Sequence, residues 1–493
     1  MARGIPCLTW QLFNLVHNFW HIAAIVLGLF LSILATGHAL LNKRDTRAAI
    51  AWVGFVWFVP VGGAVMYFIF GVNRIRHKAS LLRRNLERYR AQAAQLECLP
   101  EELQRYLPNH EGHLKMLTQV VGGMVERPLL PGNRIDPLVN GDEAYPAMLE
   151  AIQHARHTIS FMTYIFDRDE IGMTFAHELG EAARRGLEVR VLIDATGSRY
   201  SWPTILRTLR QEGVKHARFL PFALRHLMSM NMHTHRKILV TDGHVGFTGG
   251  MNIRAGNCLQ HQPRKPVQDI HFRVQGPVVT QMQEVFADDW LFTTGESLRG
   301  DSWFPKNESI GQVLARGVPD GPDENFEKLF WTLLGALSIA RYSVRIMTPY
   351  FLPDPAVVSA LNLAAMRGVQ VDIILPSQSN VPFVFSASRA MWSQVLQHGC
   401  RIWLTPPPFD HSKLMLVDNC WVLLGSANWD SRSLRLNFEF NLECYNVELA
   451  QRLDQLIETR RTVARPVTME ELDRRPLPVL LRDGITRLLT PYL

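Results

Sequence analysis

The sequence predicts an α/β protein of two homologous halves in a pseudo-twofold arrangement, preceded by a two-helix transmembrane hairpin. Three observations predict it. Two long uncharged apolar runs open the chain, a helix–strand–helix–strand pattern occurs twice after them, and one short polar motif stands late in each copy. The 493 residues suffice for about three domains. Hydrophobic residues make up 47% and charged residues 20%, which excludes a disordered chain. The apolar residues are not spread over many long runs, which excludes a polytopic transporter.

Residues 1–72 form the expected hairpin, with spans at about 19–41 and 49–71. No Asp, Glu, Lys or Arg lies between Arg3 and Lys43, or between Arg47 and Arg74. The stretch Phe19 to Leu41 reaches about 35 Å as a helix, enough for a bilayer core of roughly 30 Å. Pro60, Gly62 and Gly63 kink the second run, and Trp52, Trp57 and Tyr67 suit an interfacial or packed aromatic role. A cleaved signal sequence is the alternative. The first run is too long for one, and a second follows at once. The short KRDTR connection makes the two helices antiparallel neighbours.

Residues 73–130 read as a basic juxtamembrane helix and linker. Arg74, Arg76, Lys78, Arg83, Arg84, Arg88 and Arg90 face a single acid, Glu87. The positive-inside rule puts this collar, and the bulk that follows, in the cytoplasm. A solvated helix face is the plain reading; beside a span, contact with anionic headgroups gains about 1 kcal/mol per basic residue. The collar accounts for most of the +7 net charge, so nucleic acid is not an expected partner and anionic membrane lipid is.

The first half spans 131–300 and the second 326–465, with a Pro/Gly-rich linker at 301–325 that includes GVPDGPDE (Gly317 to Glu324). AIQHARHTISFMTYIF (Ala151 to Phe166) aligns with ALSIARYSVRIMTPYF (Ala336 to Phe351). EAARRGLEVRVLID (Glu181 to Asp194) aligns with LAAMRGVQVDIILP (Leu363 to Pro376). Gly186 and Gly368 fall where helix-ending glycines belong, and the strands after them read as buried-sheet runs. The six cysteines are dispersed without a C-x-x-C pair, so no thiolate metal site or disulfide framework is expected.

The chemistry is carried by HRKILVTD and HSKLMLVD, two copies of H-x-K-x4-D. They supply the candidate catalytic set His235, Lys237, Asp242, His411, Lys413 and Asp418. Asn252 and Asn428 follow ten residues after each Asp. His and Lys two apart on an extended strand share a face, so two imidazoles and two ammoniums converge where the halves meet. Lys suits phosphate charge, and the Asn amides add donors. One neutral His can attack phosphorus; the other, protonated, can serve the leaving alcohol. No metal and no cofactor is needed. A metal at His233 and His235 is the alternative, but neither a carboxylate nor a third His is spaced to complete it. Asp242 and Asp418 stand at the strand-to-turn boundary, where they can instead fix the Lys strand or its loop. Glu439 and Asp269 are candidates to orient the imidazoles.

The duplicated motif resembles that of the phospholipase D superfamily. Longer stretches resemble the bacterial cardiolipin synthases: NMHTHRKILVTDGHVGFTGGMNI (231–253), MTPYFLPD (347–354), GSANWDSRSLRLNFEF (425–440), PVGGAVMYFIFGVNRIR (60–76) and RLLTPYL (487–493). The resemblance covers nearly the whole chain. It implies a multi-pass enzyme of the bacterial inner membrane, its catalytic part cytoplasmic. Such an enzyme converts two phosphatidylglycerol molecules to cardiolipin and glycerol through a phosphatidyl-histidine. It also implies His235 as nucleophile and His411 as acid, then base. Two departures stand out: Gly250 where the second copy has Ser426, a hydroxyl donor among the phosphate-binding candidates, and Trp429 where a smaller aliphatic residue is usual. A phospholipase D-type hydrolase and a catalytically silent membrane scaffold are the competing readings. The intact motifs oppose the scaffold. Water and a lipid alcohol attack the same intermediate, so the motifs alone leave transfer and hydrolysis open.

Residues 466–493 form an amphipathic tail. Leu481, Ile485, Leu488 and Tyr492 follow one helical face, with Arg482 and Arg487 off it. The tail is either a helix packed on the core or an interfacial helix.

Overall fold

A computed structural model of the chain describes residues 5–43, 46–71, 97–107, 111–220, 232–323 and 325–488. It divides into two compact units, Met1–Lys78 and Ala79–Leu493.

In the first unit the opening helix is Ile5–Asn42, and its part Phe19–Asn42 is long and apolar enough to cross a membrane. It alone among the described residues meets that test. The second expected span is broken. A helix Thr46–Phe58 stops before Pro60, a short helix Pro60–Met66 restarts there, and a π-turn Tyr67–Gly71 follows. Proline's missing N–H and its ring account for the break. The pieces pack on the first helix: Ser32 donates to the Val56 carbonyl, Trp57 to Thr36, and His38 meets the Tyr67 hydroxyl at 2.8 Å. Gly63 lies so close to the Phe55 carbonyl that a Cβ would sit 2.8 Å from it. The basic run from Arg74 to Arg90 lies outside the described residues.

The second unit is a mixed sheet with helices on it. The first half contributes β1 (Leu130–Val139), β2 (Thr158–Thr163), β3 (Glu188–Asp194), β4 (His216–Phe219), β5 (Ile238–Thr241), β6 (Val245–Gly249), β7 (Val267–Gln268) and β8 (Ile270–Gln275). Then come β9 (Val313–Asp320), β10 (Ser343–Met347), β11 (Phe351–Leu352), β12 (Gln370–Pro376), β13 (Arg401–Thr405) and β14 (Phe409–Asp410). The last are β15 (Leu414–Val417), β16 (Trp421–Gly425), β17 (Trp429–Asp430), β18 (Glu439–Tyr445) and β19 (Arg465–Pro466). Fifteen of these form one sheet in the order β19-β13-β12-β10-β15-β16-β18-β9-β1-β8-β6-β5-β2-β3-β4. The outer trios β2-β3-β4 and β10-β12-β13 are parallel; the strands between them are antiparallel.

The repeat has the expected local form. Helix Glu170–Arg184 ends at Gly186 before β3, and helix Pro355–Met366 ends at Gly368 before β12; both glycines have φ +91°. That left-handed turn closes the helix end, with the Leu187 amide on the Ala182 carbonyl and the Val369 amide on Ala364.

Two segments expected as connections are built into the sheet and core. The linker 301–325 contains β9, all eight residues buried, at the centre of the sheet between β1 and β18. Its Gly317 serves close packing: a Cβ there would stand 3.0 Å from the Phe440 ring. Within 97–130, helix Glu111–Val125 buries Leu114, Leu117 and Val121 in the second half's core, beside Leu103 and Leu107. A separate apolar cluster joins residues of both halves, among them Ile238, Met282, Leu414 and Leu453.

The tail forms a helix Leu477–Leu488 that packs along helix Pro382–Arg389. It docks by its polar side, with Asp483 and Thr486 buried, whereas Leu481, Ile485 and Leu488 are exposed. Tyr492 lies outside the described residues.

Candidate active site

Each histidine is held by the opposite half. The segment leading into β5 pairs with the segment leading into β18, through a bridge from Thr234 to Phe438 and the His235 amide on the Phe438 carbonyl. The segment leading into β15 pairs with the first half through β14 and β7, and the His411 amide donates to the Gln268 carbonyl. The next residue on each partner strand is an acid. His235 Nδ1 therefore meets Glu439 at 3.0 and 3.1 Å, and His411 Nδ1 meets Asp269 at 2.9 Å. The two candidate orienting carboxylates are thus both used, and they are crossed between the halves. With Nδ1 engaged, Nε2 of each ring is left for a substrate.

The lysines complete the cleft. Lys237 Nζ donates to the His235 carbonyl at 2.7 Å, and Lys413 Nζ to that of His411, leaving each ammonium further protons for an anion. Burial holds Lys237 down to about 7, against the pull of Glu439, and Lys413 to about 8, against Asp269. Burial also lowers His235 below the ordinary imidazole value, with Glu439 opposing, and lowers His411 further, helped by Lys413 and Lys237.

The carboxylates differ. Burial alone would raise Glu439, but His235, Lys237 and Ser426 outweigh it and hold the group below its ordinary value. Asp269 has fewer donors, and burial pushes it up to about 8 despite Lys413. Gly250 and Ser426 explain part of this. The Ser426 hydroxyl donates to Glu439 at 2.5 Å and accepts from the Phe440 amide, so its one proton is already committed. It supports a carboxylate rather than a phosphate. At Gly250 a Cβ would lie 2.7 Å from Asp269, so no serine fits there without displacement.

Asn252 Oδ1 accepts from the Ile165 amide, fixing the side chain with its NH2 group still available. Asn428 is buried beside Lys413 and its Oδ1 has no hydrogen-bond partner. Trp429 is buried, its ring stacked on Phe351 with centroids 6.4 Å apart in the second half's core, and it shares a cavity lining with Lys413 and Asn428.

Asp242 and Asp418 are not at this cleft. They sit beyond the far ends of β5 and β15 with φ of +51° and +52°. The Asp242 carboxylate accepts from the amides of Arg156, His157 and Thr158; that of Asp418 accepts from Arg341, Tyr342 and Ser343. Each ties the turn before a parallel strand to the end of the strand that follows the Lys. Asp418 also takes a bond from His113 at 2.9 Å, which fastens helix Glu111–Val125 to the same turn.

Sequence reading missed two aromatic walls. Tyr164 lies edge-on to His235 at 5.3 Å with Lys237 Nζ 5.5 Å from its ring centre, and Tyr350 lies edge-on to His411 at 6.4 Å. Both lie in the aligned MTYIF and MTPYF segments, but one position out of register, so the alignment did not pair them. His233 also has a carboxylate beside it after all, Asp194 at 3.4 Å, brought from β3. Among the described residues no group of three His, Cys, Asp or Glu is placed to hold a metal ion.

The structure thus brings together two lysines and two histidines, each histidine paired with a carboxylate of the opposite half. The family is shown by comparison with known proteins. Residues 148–290 and 333–461 match the family model described as cardiolipin synthase, PLD-like domain, and residues 30–71 match the phospholipase D-nuclease N-terminal model. A cardiolipin synthase of Geobacillus thermodenitrificans is 30% identical, covering 98% of this chain and 97% of that protein. A cardiolipin synthase A of Pseudomonas aeruginosa is 33% identical, covering 94% of each. The phosphatidylserine synthase structure from Haemophilus influenzae Rd KW20 matches at TM-score 0.59 and 16% identity over 76% of this chain and 100% of that one, which shows a shared fold. The chain belongs to the cardiolipin synthase family of PLD-like proteins.

Proposed function

We propose that this chain is a membrane-bound phosphatidyltransferase that makes cardiolipin and glycerol from two phosphatidylglycerol molecules. The observation that carries the reading is the crossed pair of His–carboxylate contacts over two lysines, in a chain similar to cardiolipin synthases along its whole length.

The donor phosphodiester sits between the rings, its charge balanced by Lys237 and Lys413 and its oxygens met by the Asn252 and Asn428 amides. Its charge raises the proton affinity of both lysines and of His411. His235, neutral and oriented by ionised Glu439, attacks phosphorus through Nε2. The P–O bond to glycerol breaks, and His411 gives its proton to the departing oxygen. The phosphatidyl-histidine then faces a second phosphatidylglycerol. His411 takes the proton of its terminal hydroxyl, the new P–O bond forms and the P–N bond breaks. No cofactor enters the scheme. Glu439, Asp269 and Ser426 act by positioning the histidines.

Several finer readings belong to the same proposal. The halves are related by a pseudo-twofold, which the mirrored strand order around β9 and β1 supports. The N-terminal segment is a two-span hairpin in a bacterial inner membrane with the catalytic part cytoplasmic; its packed apolar helices and the basic collar in the sequence support this. Partners are phosphatidylglycerol and anionic membrane lipid rather than nucleic acid.

Purified enzyme incubated with labelled phosphatidylglycerol tests the reading. Cardiolipin with released glycerol supports transfer. Phosphatidic acid alone makes the chain a hydrolase, and no turnover makes it a scaffold.

A further inference from the structure

The last described helix is docked inside out. Leu477–Leu488 turns Asp483 inward to 1% exposure, while Leu477, Leu481, Ile485 and Leu488 stand 66%, 56%, 62% and 73% exposed. An amphipathic helix ordinarily buries its apolar face. Here the anchor is ionic. Asp483 accepts from Arg389 at 2.7 and 2.8 Å, from Arg475 at 3.1 Å and from Arg482 at 3.1 Å. Three guanidiniums meet one carboxylate, which leaves that cluster net positive; Arg389 and Arg475 lie on the docked side and Arg482, 54% exposed, borders the apolar stripe. The supporting helix Pro382–Arg389 adds Phe383, also largely exposed.

The patch adjoins the active site. Asn380, two residues before that supporting helix, accepts the Tyr350 hydroxyl at 2.6 Å, and Tyr350 is the wall beside His411. We propose that the outward face of helix Leu477–Leu488, with Phe383, is a docking surface for an anionic lipid bilayer, seating the His411 side of the cleft at the headgroup level. The inference rests on the phosphatidyltransfer reading, since both substrates of that reaction lie in a bilayer. The occupant is chosen by charge and continuity: an apolar stripe bordered by the exposed Arg482, on a helix packed against the one that follows Asn380 and the Tyr350 wall, fits acyl chains with anionic headgroups.

The test uses the full chain carrying Cys7→Ser and Ile485→Cys, labelled with an environment-sensitive dye. The five other cysteines are buried, which directs the dye to position 485. In phosphatidylglycerol/phosphatidylethanolamine vesicles the dye emission shifts to the blue and is quenched by lipids spin-labelled on the acyl chain. Water-like, unquenched emission overturns the proposal. So does a blue shift that disappears when the protein is diluted to one chain per vesicle, which makes a second copy the occupant. In parallel, Leu481→Asn with Ile485→Asn loses about tenfold in activity on vesicle phosphatidylglycerol but keeps its rate on a short-chain soluble analogue and its Tm. Equal loss on both substrates with a lowered Tm returns the helix to plain packing, and unchanged activity on both denies the face any role. Failure of the unsubstituted enzyme to make cardiolipin is a separate outcome; it removes the phosphatidyltransfer reading on which the proposal rests, and the proposal with it.

Discussion

Replacing Glu439 by Gln isolates what the crossed carboxylate does. Glu439 is fully buried and holds His235 Nδ1 at 3.0 and 3.1 Å. When His235 takes the phosphatidyl group its ring becomes cationic, and the carboxylate faces that charge. At about 4 Å between charge centres and an effective dielectric of about 20, the attraction is about 4 kcal/mol. Gln keeps the volume and one acceptor but removes the charge, so kcat is expected to fall about 10³-fold. Ser426 can turn its hydroxyl to accept from the Gln amide, so Tm should change little. The assay is glycerol release from labelled phosphatidylglycerol, with thermal melting alongside. Activity within about tenfold of the parent, with the fold intact, would refute the argument that Glu439 charge stabilises the histidine adduct.

Asp269→Asn should slow leaving-group release from an ordinary donor in a single turnover, and that first step should recover when glycerol is replaced by a leaving group that needs no proton, since Asp269 acts through His411; equal slowing of the first step with both donors speaks against that role. Asp242→Asn and Asp418→Asn should lower stability, by about 1–3 kcal/mol, while the folded fraction keeps its kcat; Asp418 should cost more because it also holds His113, as denaturant titration would show. The pH profile follows from the lysines. Their ammonium forms exist below about 7 for Lys237 and about 8 for Lys413, so rising pH strips charge from the free cleft. kcat/KM should therefore decline through that window, and kcat should decline only at higher pH, because the bound phosphate raises both groups. A kcat/KM flat to pH 9 would contradict the charge assignment.

The helix–strand–Gly–strand units were legible because their signals are local: an apolar run and a glycine at a helix end. The motif histidines and lysines were legible because a two-residue spacing on a strand puts side chains on one face. The crossing of Glu439 to His235 and Asp269 to His411 was not, since it depends on which strands pair between halves. Asp242 and Asp418 belong to the motif in sequence but to the far turn in space, because a four-residue strand separates them from the cleft. Gly317 and Pro319 read as linker punctuation, yet β9 needs the small residue against Phe440 and receives its remaining bonds from two flanking strands. The tail stripe was expected on one helical face, and Leu481, Ile485 and Leu488 stand exposed on one helix; which way that helix turns is set by Arg389 and Arg475, which reach Asp483 from outside it, a pairing that no local pattern announces.

The most direct measurement is to trap the intermediate. His411→Ala removes the acid for the first step and the base for the second. Given a donor whose leaving group needs no proton, this variant should form the phosphatidyl-histidine and then stall. Rapid quench at alkaline pH, proteolysis and mass spectrometry would map the adduct. The account predicts a phosphatidyl group on His235, absent from His235→Ala. No adduct in any variant, with cardiolipin still formed, would contradict the two-step mechanism.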